Sequence, residues 1–270
     1  MAELSGKRAL VTGASSGIGA AIARILADKG ADLVLTARRK DQLETVAAEC
    51  RGKGVTVDVI VADLGKAGEA ARLWAAAGNV DILVNNAGFG YFRPFGEVEA
   101  AREAELVQLN MTSLVELSRA FVAARKTAEG KSYLLSIASI GAYQSVPNMA
   151  LYAASKAFVR NFTEALHDEL SATNASATVV CPGGTRTEFH AQAGAGNYSW
   201  IANASMMSAE ECAQKSVRAM LKRKRTYIPG LINKLSCFGV RLVPRWFASW
   251  MARRVLGKPR PGELPQRSAA

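Results

Sequence analysis

Short apolar runs alternate with segments of helical periodicity along most of the chain. The first run, Arg8–Thr12, precedes a helical pattern that ends at Lys29, just before Gly30. Nearly continuous apolar runs of this length are typical of parallel strands that are covered by helices on both faces. The pattern therefore predicts a doubly wound α/β fold with a seven-stranded parallel sheet. The strands are predicted at 8–12, 32–36, 56–61, 80–84, 132–137, 177–181 and 225–229, and further helices at 41–50, 66–77, 98–128 and 150–171.

A glycine-rich turn joins the first strand to the first helix. Gly13, Gly17 and Gly19 have the spacing of a turn that binds a dinucleotide, and they stand between a strand and a helix as that role requires. Gly13 permits the tight turn, Gly17 lets the backbone approach a pyrophosphate, and Gly19 lets the helix pack closely on the strand. Because the helix N-terminus presents unpaired N–H groups, it favours phosphate there. The turn therefore predicts a Rossmann-type nucleotide site.

Tyr152 and Lys156 lie one helical turn apart and are candidates for proton transfer. A free tyrosine has a pKa of about 10, and a neighbouring ammonium group lowers it. At an effective dielectric constant of about 20, a charge about 4 Å away is worth roughly 4 kcal/mol, or about three pKa units. Ser139 is a candidate to hold a substrate oxygen against the phenol. Tyrosine and lysine often have this spacing in helices by chance, so the surrounding motifs are needed to tell whether the pair is catalytic.

Charge is distributed unevenly. Residues 1–217 hold 21 Lys or Arg and 22 Asp or Glu, whereas residues 218–270 hold 13 Lys or Arg and 1 Glu. The net charge of +11 therefore belongs to the C-terminal part of the chain, and the α/β body is close to neutral.

Cysteine and histidine spacing predicts no metal site. The four cysteines are scattered without a Cys-x-x-Cys pair, which is typical of free thiols in a reducing compartment. His167 and His190 have no carboxylate or cysteine partner at ligand spacing. The first residues contain no apolar run typical of a signal peptide, and no apolar run is long enough for a spanning helix. We therefore expect a cytoplasmic protein.

Five motifs, in order along roughly residues 5–230, resemble those of the short-chain dehydrogenase/reductase family. They are Thr12-Gly13-Ala14-Ser15-Ser16-Gly17-Ile18-Gly19, Asn85-Asn86-Ala87-Gly88, Leu109-Asn110-Met111, Ser139 placed 13 residues before Tyr152, and Pro182-Gly183 after the sixth strand.

The resemblance implies a role for each catalytic residue. Tyr152 would give a proton to a carbonyl oxygen, or take one from an alcohol. Lys156 would lower the pKa of the tyrosine and bind the nicotinamide ribose. Ser139 would position the substrate oxygen, and Asn110 would hold a water of the proton relay.

The resemblance also implies the cofactor contacts. Asn86 and Gly88 would line the adenosine and ribose side of the cofactor. Asp63 and Leu64 would lie by the adenine. Pro182, Gly183 and Thr185 would fix the carboxamide of the nicotinamide. The implied cofactor-binding residues are Gly13, Ser15, Ser16, Gly17, Ile18, Gly19, Arg38, Arg39, Asp63, Leu64, Asn86, Ala87, Gly88, Tyr152, Lys156, Pro182, Gly183, Thr185 and Thr187.

The end of the second strand favours NADP(H). An acidic residue there binds the ribose 2′-OH of NAD, whereas arginine accommodates a 2′-phosphate. Here the strand is followed by Arg38, Arg39 and Lys40, and the first carboxylate, Asp41, comes later. A bidentate, charge-assisted contact of arginine with a dianionic phosphate supports NADP(H). The alternative is a solvated basic turn at the start of a helix, in an enzyme that uses NAD(H).

The substrate side is less specific. The segment 187–207 has few helix or strand signals and is expected to cover the substrate. Five aromatic residues either form an apolar pocket for a hydrophobic substrate or pack this segment on the body. They are Phe89, Tyr91, Phe92, Phe189 and Trp200.

The C-terminal extension is basic and amphipathic. Residues 1–230 are expected to form the catalytic domain, 231–258 a helical extension that Pro244 divides in two, and 259–270 a disordered tail. The apolar side chains and arginines of the helical extension suit a membrane interface, which residues 231–256 would contact. The alternative is packing on the catalytic body or on a second subunit, and nucleic acid is the least favoured partner. The apolar face comprises Trp246, Phe247, Trp250 and Met251, and the charge comes from Arg245, Arg253 and Arg254.

Together these features predict an NADP(H)-dependent oxidoreductase that interconverts a ketone or aldehyde and its alcohol. The resemblance predicts a homodimer or homotetramer formed through the helices at 98–128 and 150–171. A membrane-surface nucleotide-binding protein without turnover is the alternative from another class.

Overall fold

A computed structural model gives the structure of the protein and describes residues 2–186 and 206–257. Its strands are β1 (Arg8–Thr12), β2 (Asp32–Ala37), β3 (Val57–Val61), β4 (Ile82–Asn85), β5 (Ser132–Ile137), β6 (Ala175–Val180), β7 (Thr185–Arg186), β8 (Met207–Ser208) and β9 (Thr226–Tyr227). Seven of them pair in parallel in the order β3-β2-β1-β4-β5-β6-β9, while β7 and β8 form a separate pair. The predicted seven-stranded parallel sheet is confirmed.

Helices cover both faces of this sheet because side chains alternate along each buried strand. In β1, Ala9 and Val11 pack on one face and Leu10 on the other. The helices on the first face are α1 (Gly17–Asp28), α2 (Lys40–Arg51) and α7 (Ala209–Leu221). Those on the second face are α3 (Glu69–Ala77), α4 (Ala100–Val107), α5 (Ser113–Arg125) and α6 (Ala150–Glu169).

Two features differ from the predicted elements. The helix expected at 98–128 is divided into α4 and α5 by a π-helical turn, Gln108–Thr112, which buries Asn110. Helix α7 was not among the predicted elements, although Ser208 caps it by accepting the N–H of Glu211 at 3.0 Å. Because α7 packs against α1, it completes the cover of the first face.

The C-terminal extension forms two helices, α8 (Leu231–Gly239) and α9 (Arg245–Leu256), joined by a short 3-10 turn, Val240–Leu242. Pro244 is the N-cap residue of α9, where its lack of an N–H costs nothing. Each helix buries two residues against the body: Asn233 and Cys237 in α8, and Ala248 and Ala252 in α9. The domain boundaries at 230 and 258 stay predictions, and 259–270 lies outside the described residues. No helix of the described residues is both long and apolar enough to cross a membrane.

Candidate active site

A cavity of about 740 Å³ opens at the carboxyl ends of the parallel strands. Strand β1 lies between β2 and β4, so the chain crosses the sheet in opposite directions on its two sides. Open α/β sheets bind ligands in the crevice at this reversal. Residues that follow six strands line the cavity: Gly13 after β1, Arg38 after β2, Ala62 after β3, Asn86 after β4, Ala138 after β5 and Pro182 after β6.

The glycine-rich turn forms one end of this cavity. Gly13 and Gly17 have φ angles of +66° and +57°, which residues with a Cβ rarely adopt. A Cβ at Gly19 would lie 2.2 Å from the carbonyl oxygen of Gly13, so only glycine lets α1 approach β1 this closely. Gly19 lies behind the turn, whereas Ser15, Ser16, Gly17 and Ile18 line the cavity. The first N–H groups of α1 therefore favour an anion at this end.

Thr12 and Asn86 tie the ends of β1 and β4 together. The Thr12 hydroxyl donates to the carbonyl oxygen of Val84 at 3.0 Å. It accepts from the backbone N–H groups of Asn86 and Ala87, each at 3.0 Å. The side-chain amide of Asn86 donates to the carbonyl oxygens of Thr12 at 2.9 Å and Gly13 at 3.2 Å. This network fixes the position of Ala87 on the cavity wall, and the sequence reasoning had given Thr12 no such role.

Two arginines after β2 bring positive charge to the glycine-rich turn. Arg39 Nη2 lies 3.0 Å from the hydroxyl of Ser16 and 3.5 Å from that of Ser15. Arg38 Nη1 lies 3.9 Å from the Glu105 carboxylate, and burial lowers the pKa of Arg38 from its ordinary value. Lys40 is exposed in the first turn of α2 and does not line the cavity. The guanidinium groups of Arg38 and Arg39 favour an anionic ligand beside the turn.

Asp63 and Leu64, after β3, form the neighbouring part of the wall. One carboxylate oxygen of Asp63 accepts the N–H of Gly65 at 3.1 Å, and Ser113 donates to the carbonyl oxygen of Leu64 at 2.7 Å. Both bonds hold this turn in place, so Leu64 presents a fixed apolar surface near Arg38. A flat, largely apolar ring such as adenine fits such a wall.

Lys156 lies one helical turn after Tyr152 in α6, and both residues line the cavity. Its Nζ donates to the carbonyl oxygen of Ile137 at 2.9 Å and lies 5.8 Å from the centre of the Tyr152 ring. Burial lowers the pKa of Lys156 from 10.5 to about 8. The ammonium form therefore predominates at pH 7, and its charge stabilises negative charge that develops on the tyrosine oxygen. The sequence does not identify the Ile137 carbonyl oxygen as the hydrogen-bond partner of Lys156.

Ser139 lies at the start of a short 3-10 turn after β5, on the cavity wall. Its hydroxyl oxygen accepts the backbone N–H of Gly141 at 3.1 Å. Since that bond uses a lone pair of the oxygen, the hydroxyl hydrogen can be donated to a substrate oxygen. The geometry suits the positioning role that the sequence predicts.

Asn110 links the loop after β4 to helix α6. Its oxygen accepts the N–H of Phe89 at 3.1 Å, and its amide nitrogen donates to the carbonyl oxygen of Phe89 at 2.9 Å. The same nitrogen donates to the hydroxyl of Ser155 at 3.1 Å, which in turn donates to the carbonyl oxygen of Tyr152 at 2.7 Å. A Cβ added to Gly88 would lie 3.1 Å from the Asn110 oxygen. Asn110 therefore positions the tyrosine helix, and Ser155 is a residue that sequence reasoning missed.

The loop after β6 meets the C-terminal extension. Pro182, Gly183 and Thr185 line the cavity, and the Thr185 hydroxyl donates to the carbonyl oxygen of Gly183 at 3.3 Å. A Cβ at Gly183 would lie 2.5 Å from the amide nitrogen of Asn233, which itself donates to the Pro229 carbonyl oxygen at 2.9 Å. Glycine at 183 is thus required for α8 to dock here. The predicted contact of Thr187 lies outside the described residues.

The apolar part of the cavity is built mainly by the extension and not by the predicted aromatic group. Tyr91 and Phe92 are buried in the body and do not line the cavity, because the loop after β4 turns them inward. Phe89 does line it, while Phe189, Trp200 and His190 lie outside the described residues. The Nδ1–H of His167 donates to the carbonyl oxygen of Ala177 at 2.7 Å. The residues of the extension that line the cavity include Ile232, Val240, Val243, Phe247, Met251 and Val255.

These features define a dinucleotide-binding α/β oxidoreductase site: a phosphate-binding turn, an apolar wall, and a serine, tyrosine and lysine at the far end. The short chain dehydrogenase family matches residues 7–197. The chain belongs to the short-chain dehydrogenase/reductase family, as the sequence motifs predict. The fold of this family binds a nicotinamide dinucleotide, and the glycine-rich turn with its neighbouring arginines fits the phosphates of such a group.

Individual relatives agree with this assignment. The chain is 36% identical over 193 residues to dehydrogenase/reductase SDR family member 4 of Sus scrofa, covering 69% of this chain and 68% of the relative. It is 31% identical to a short-chain dehydrogenase from Sphingobium yanoikuyae, solved with NADPH, with a TM-score of 0.75 over 98% of both chains. A short-chain dehydrogenase/reductase from Burkholderia phymatum, solved with NAD, is 24% identical, with a TM-score of 0.77 over 90% of this chain and 94% of that one, and shows likeness of fold alone.

Proposed function

We propose that this enzyme uses NADPH to reduce the carbonyl group of a hydrophobic ketone or aldehyde, and that it catalyses the reverse oxidation with NADP. The observation that carries the proposal is one cavity with two distinct ends. Arg38 and Arg39 lie at one end, and Ser139, Tyr152 and Lys156 lie at the other. Carbonyl reduction is the favoured direction, since cells usually keep the NADP pool reduced.

The two arginines support NADP(H) over NAD(H). Arg39 reaches back to Ser16 on the glycine-rich turn instead of capping α2 with its side chain. Burial lowers the pKa of Arg38, so a neighbouring dianion would stabilise its charged form. A 2′-phosphate bound at this corner would receive charge-assisted hydrogen bonds from both guanidinium groups. The relative from Sphingobium yanoikuyae, solved with NADPH, is consistent with this preference.

The catalytic end supports acid/base chemistry at a carbonyl oxygen. When bound, the cofactor supplies the hydride that reduces the carbonyl carbon. Ser139 donates its hydroxyl hydrogen to the substrate oxygen and holds it near the phenol. Tyr152 transfers its proton to that oxygen as negative charge develops there, and the Lys156 ammonium stabilises the resulting phenolate. The alcohol product keeps the tyrosine proton, and solvent returns a proton to Tyr152.

The apolar wall supports a hydrophobic substrate. The same cavity that contains Ser139 and Tyr152 is lined by Phe247 and Met251 of α9 and by Val240 and Val243 before it. The whole cavity, with its cofactor end, has a volume of about 740 Å³, within the range of roughly 300–1,000 Å³ for small-molecule sites.

A homodimer or homotetramer is part of the proposal. On the outer side of α5 and α6, Val115, Val122, Phe162 and Leu166 line a shallow groove of about 320 Å³. Apolar helical faces of this kind suit packing against the same face of a second copy.

The experiment that tests the proposal follows the absorbance of NADPH, and separately of NADH, with carbonyl compounds graded in chain length and ring size. The expected result is oxidation of NADPH by long-chain or polycyclic carbonyls, with kcat/KM for NADPH at least tenfold above that for NADH. Turnover with NADH alone would contradict the cofactor assignment. Tight binding of NADPH without turnover of any carbonyl would contradict the proposed reductase activity.

A further inference from the structure

The C-terminal extension presents a second apolar surface, on the side that faces away from the body. Ten large apolar side chains are exposed in the described residues, and eight of them belong to the extension, the other two being Val61 and Phe95. We name these eight the exposed ridge. It consists of Leu231, Ile232, Leu235, Phe238, Leu242, Trp246, Trp250 and Met251.

The ridge follows from the periodicity of the two helices. Leu231, Leu235 and Phe238 are spaced by four and three residues, which places them on one face of α8, and they are 71%, 62% and 58% exposed. Trp246 and Trp250 are spaced by four residues on α9 and are 71% and 44% exposed. The opposite faces of both helices are buried against the body. Packing among the residues that the structure describes therefore accounts for one face of each helix and leaves the ridge exposed.

The ridge is surrounded by positive charge. Residues 231–257 contain no Asp or Glu, and their five cations are exposed. In the part of the chain that the structure describes, none of the five forms an ion pair with a carboxylate. The Arg254 guanidinium lies 4.8 Å from the centre of the Trp250 ring, beside the apolar surface. The five cations are Lys234, Arg241, Arg245, Arg253 and Arg254.

We propose that the exposed ridge docks the enzyme on the surface of an anionic lipid bilayer. Helices with apolar and aromatic residues on one side and arginines beside them insert their apolar face at the boundary between headgroups and acyl chains. Each cation near an anionic leaflet raises the partition coefficient about fivefold. A symmetric dimer through the ridge would instead bring two copies of the same unpaired cations together, which disfavours a second copy as the occupant.

The ridge continues into the mouth of the cavity. Ile232 and Met251 are 55% and 40% exposed in the ridge, and both also line the cavity. Docking would therefore place the apolar entrance against the acyl chains, and a lipid-soluble carbonyl would reach Tyr152 without crossing water. This consequence rests on the proposed reductase function, whereas the docking itself does not.

Flotation of the full chain with lipid vesicles tests the docking without cofactor or substrate. The vesicles are phosphatidylcholine alone, or equal parts of phosphatidylcholine and phosphatidylserine, at low and at high salt. We expect flotation with the anionic vesicles at low salt, and weaker flotation at high salt because salt screens the charges. No difference between the two vesicle types, or no flotation with either, would overturn the proposal.

Variants of exposed residues identify the surface. The double variant Leu235→Glu/Trp246→Glu, and separately Arg241→Gln/Arg245→Gln, should lower the partition coefficient at least tenfold. The matched controls are Phe95→Glu, whose parent side chain is 70% exposed, and Lys131→Gln/Lys222→Gln. All four proteins should keep NADPH binding and turnover of a short, soluble carbonyl, which shows that they fold. If the ridge variants bind vesicles normally but dissociate an oligomer in sedimentation velocity, a second copy occupies the ridge and the proposal is wrong.

Discussion

The ammonium nitrogen of Lys156 lies 5.8 Å from the centre of the Tyr152 ring, one helical turn away in α6. It is held there by a hydrogen bond of 2.9 Å to the Ile137 carbonyl oxygen at the end of β5. The lysine therefore stays beside the tyrosine by a contact to the sheet, independently of any ligand. Burial lowers its pKa to about 8, which makes its charge sensitive to pH near the physiological range.

The pH dependence of catalysis should report the protonation state of Lys156. Because burial lowers the pKa of Lys156 from 10.5 to about 8, the stabilising charge is present below pH 8 and is lost as the pH rises through that value. We expect kcat/KM for NADPH, which reports the free enzyme, to fall above about pH 8. In Lys156→Arg the remaining activity should lose this descending limb, since a guanidinium stays charged. A flat profile up to pH 10 in the unmodified enzyme would contradict the assignment.

Stability should improve when the buried charge is removed. Below pH 8 the folded chain binds the Lys156 proton more weakly than the unfolded chain, so the charge destabilises the fold. Lys156→Met should raise the free energy of unfolding at pH 6 by about 1–3 kcal/mol, less than the full shift because the Ile137 carbonyl loses its donor. The gain should shrink as the pH rises from 8 to 10.5, where the unfolded lysine also loses its proton.

Urea unfolding at pH 6 and pH 10 measures both quantities. Lys126→Met, an exposed substitution, serves as the control and should leave stability within about 0.5 kcal/mol. Destabilisation of Lys156→Met at pH 6 would show that the lysine contributes more through its hydrogen bond than it costs through burial.

Cofactor preference should depend on Arg39 and not on Lys40. Arg39 contacts Ser16 at 3.0 Å, whereas the adjacent Lys40 is exposed and away from the cavity. Arg39→Ala should weaken NADPH binding by about 10–100-fold, as expected for lost hydrogen bonds to a charged group, and should change NADH binding by less than about threefold. Isothermal titration of both nucleotides against Arg39→Ala and Lys40→Ala gives the comparison. Equal losses of affinity for NADPH and NADH would show that Arg39 contacts the pyrophosphate that both nucleotides contain, or that it acts in folding.

Asn110 should act by positioning. Asn110→Ala removes the side-chain hydrogen bonds to the N–H and carbonyl groups of Phe89, and it should lower the free energy of unfolding by about 2–3 kcal/mol and kcat at least tenfold. Ser155→Ala removes only the hydrogen bonds that connect Asn110 to the tyrosine helix. It should therefore lower the free energy of unfolding by about 1 kcal/mol and reduce kcat by less than Asn110→Ala does. Asn161→Ala, on the exposed side of α6, should change neither. Urea unfolding and steady-state rates on the four proteins distinguish these cases, and full activity of Asn110→Ala would contradict the positioning role.

The sheet could be predicted from the sequence because its strands are buried on both faces and read as continuous apolar runs. Arg8–Thr12 and Ser132–Ile137 have the same bounds in the prediction and in the structure. The π-helical turn at Gln108–Thr112 could not be predicted, since the apolar pattern continues through it. Helix α7 was missed although Ser208 and Glu211 have the spacing of a capping box, because the preceding segment gave no helical or strand pattern.

The site was predictable where a motif marks it and not where it depends on tertiary contacts. The motifs identified Ser139, Tyr152 and Lys156, and the cavity brings all three together. The Ile137 carbonyl, which holds Lys156, is a backbone group and leaves no signal in the sequence. The packing of Asn233 on Gly183 joins residues far apart in the chain, which periodicity cannot reveal.

The sequence left several alternative partners for the C-terminal extension: a membrane, the catalytic body or a second subunit, and, least favoured, nucleic acid. Periodicity alone could not decide between them, because each helix has apolar residues around much of its circumference. In the structure, Asn233 and Ala248 are buried on one side while Leu235 and Trp246 are exposed on the other. Packing on the body and contact with a membrane therefore concern different faces of the same helices.

Two tyrosines that line the same cavity, Tyr152 and Tyr143, allow the proton donor to be identified by substitution. Tyr143 is half-buried, its pKa is raised by burial, and the Arg160 guanidinium lies 4.3 Å from its ring centre. The measurement is NADPH-dependent reduction of the best carbonyl substrate by Tyr152→Phe and Tyr143→Phe, with NADPH affinity determined for both. We predict that Tyr152→Phe lowers kcat by about 10²–10⁴-fold with NADPH affinity unchanged within about threefold, while Tyr143→Phe keeps most of the activity. Retention of turnover by Tyr152→Phe, or its loss in Tyr143→Phe alone, would contradict the assignment of Tyr152 as the proton donor.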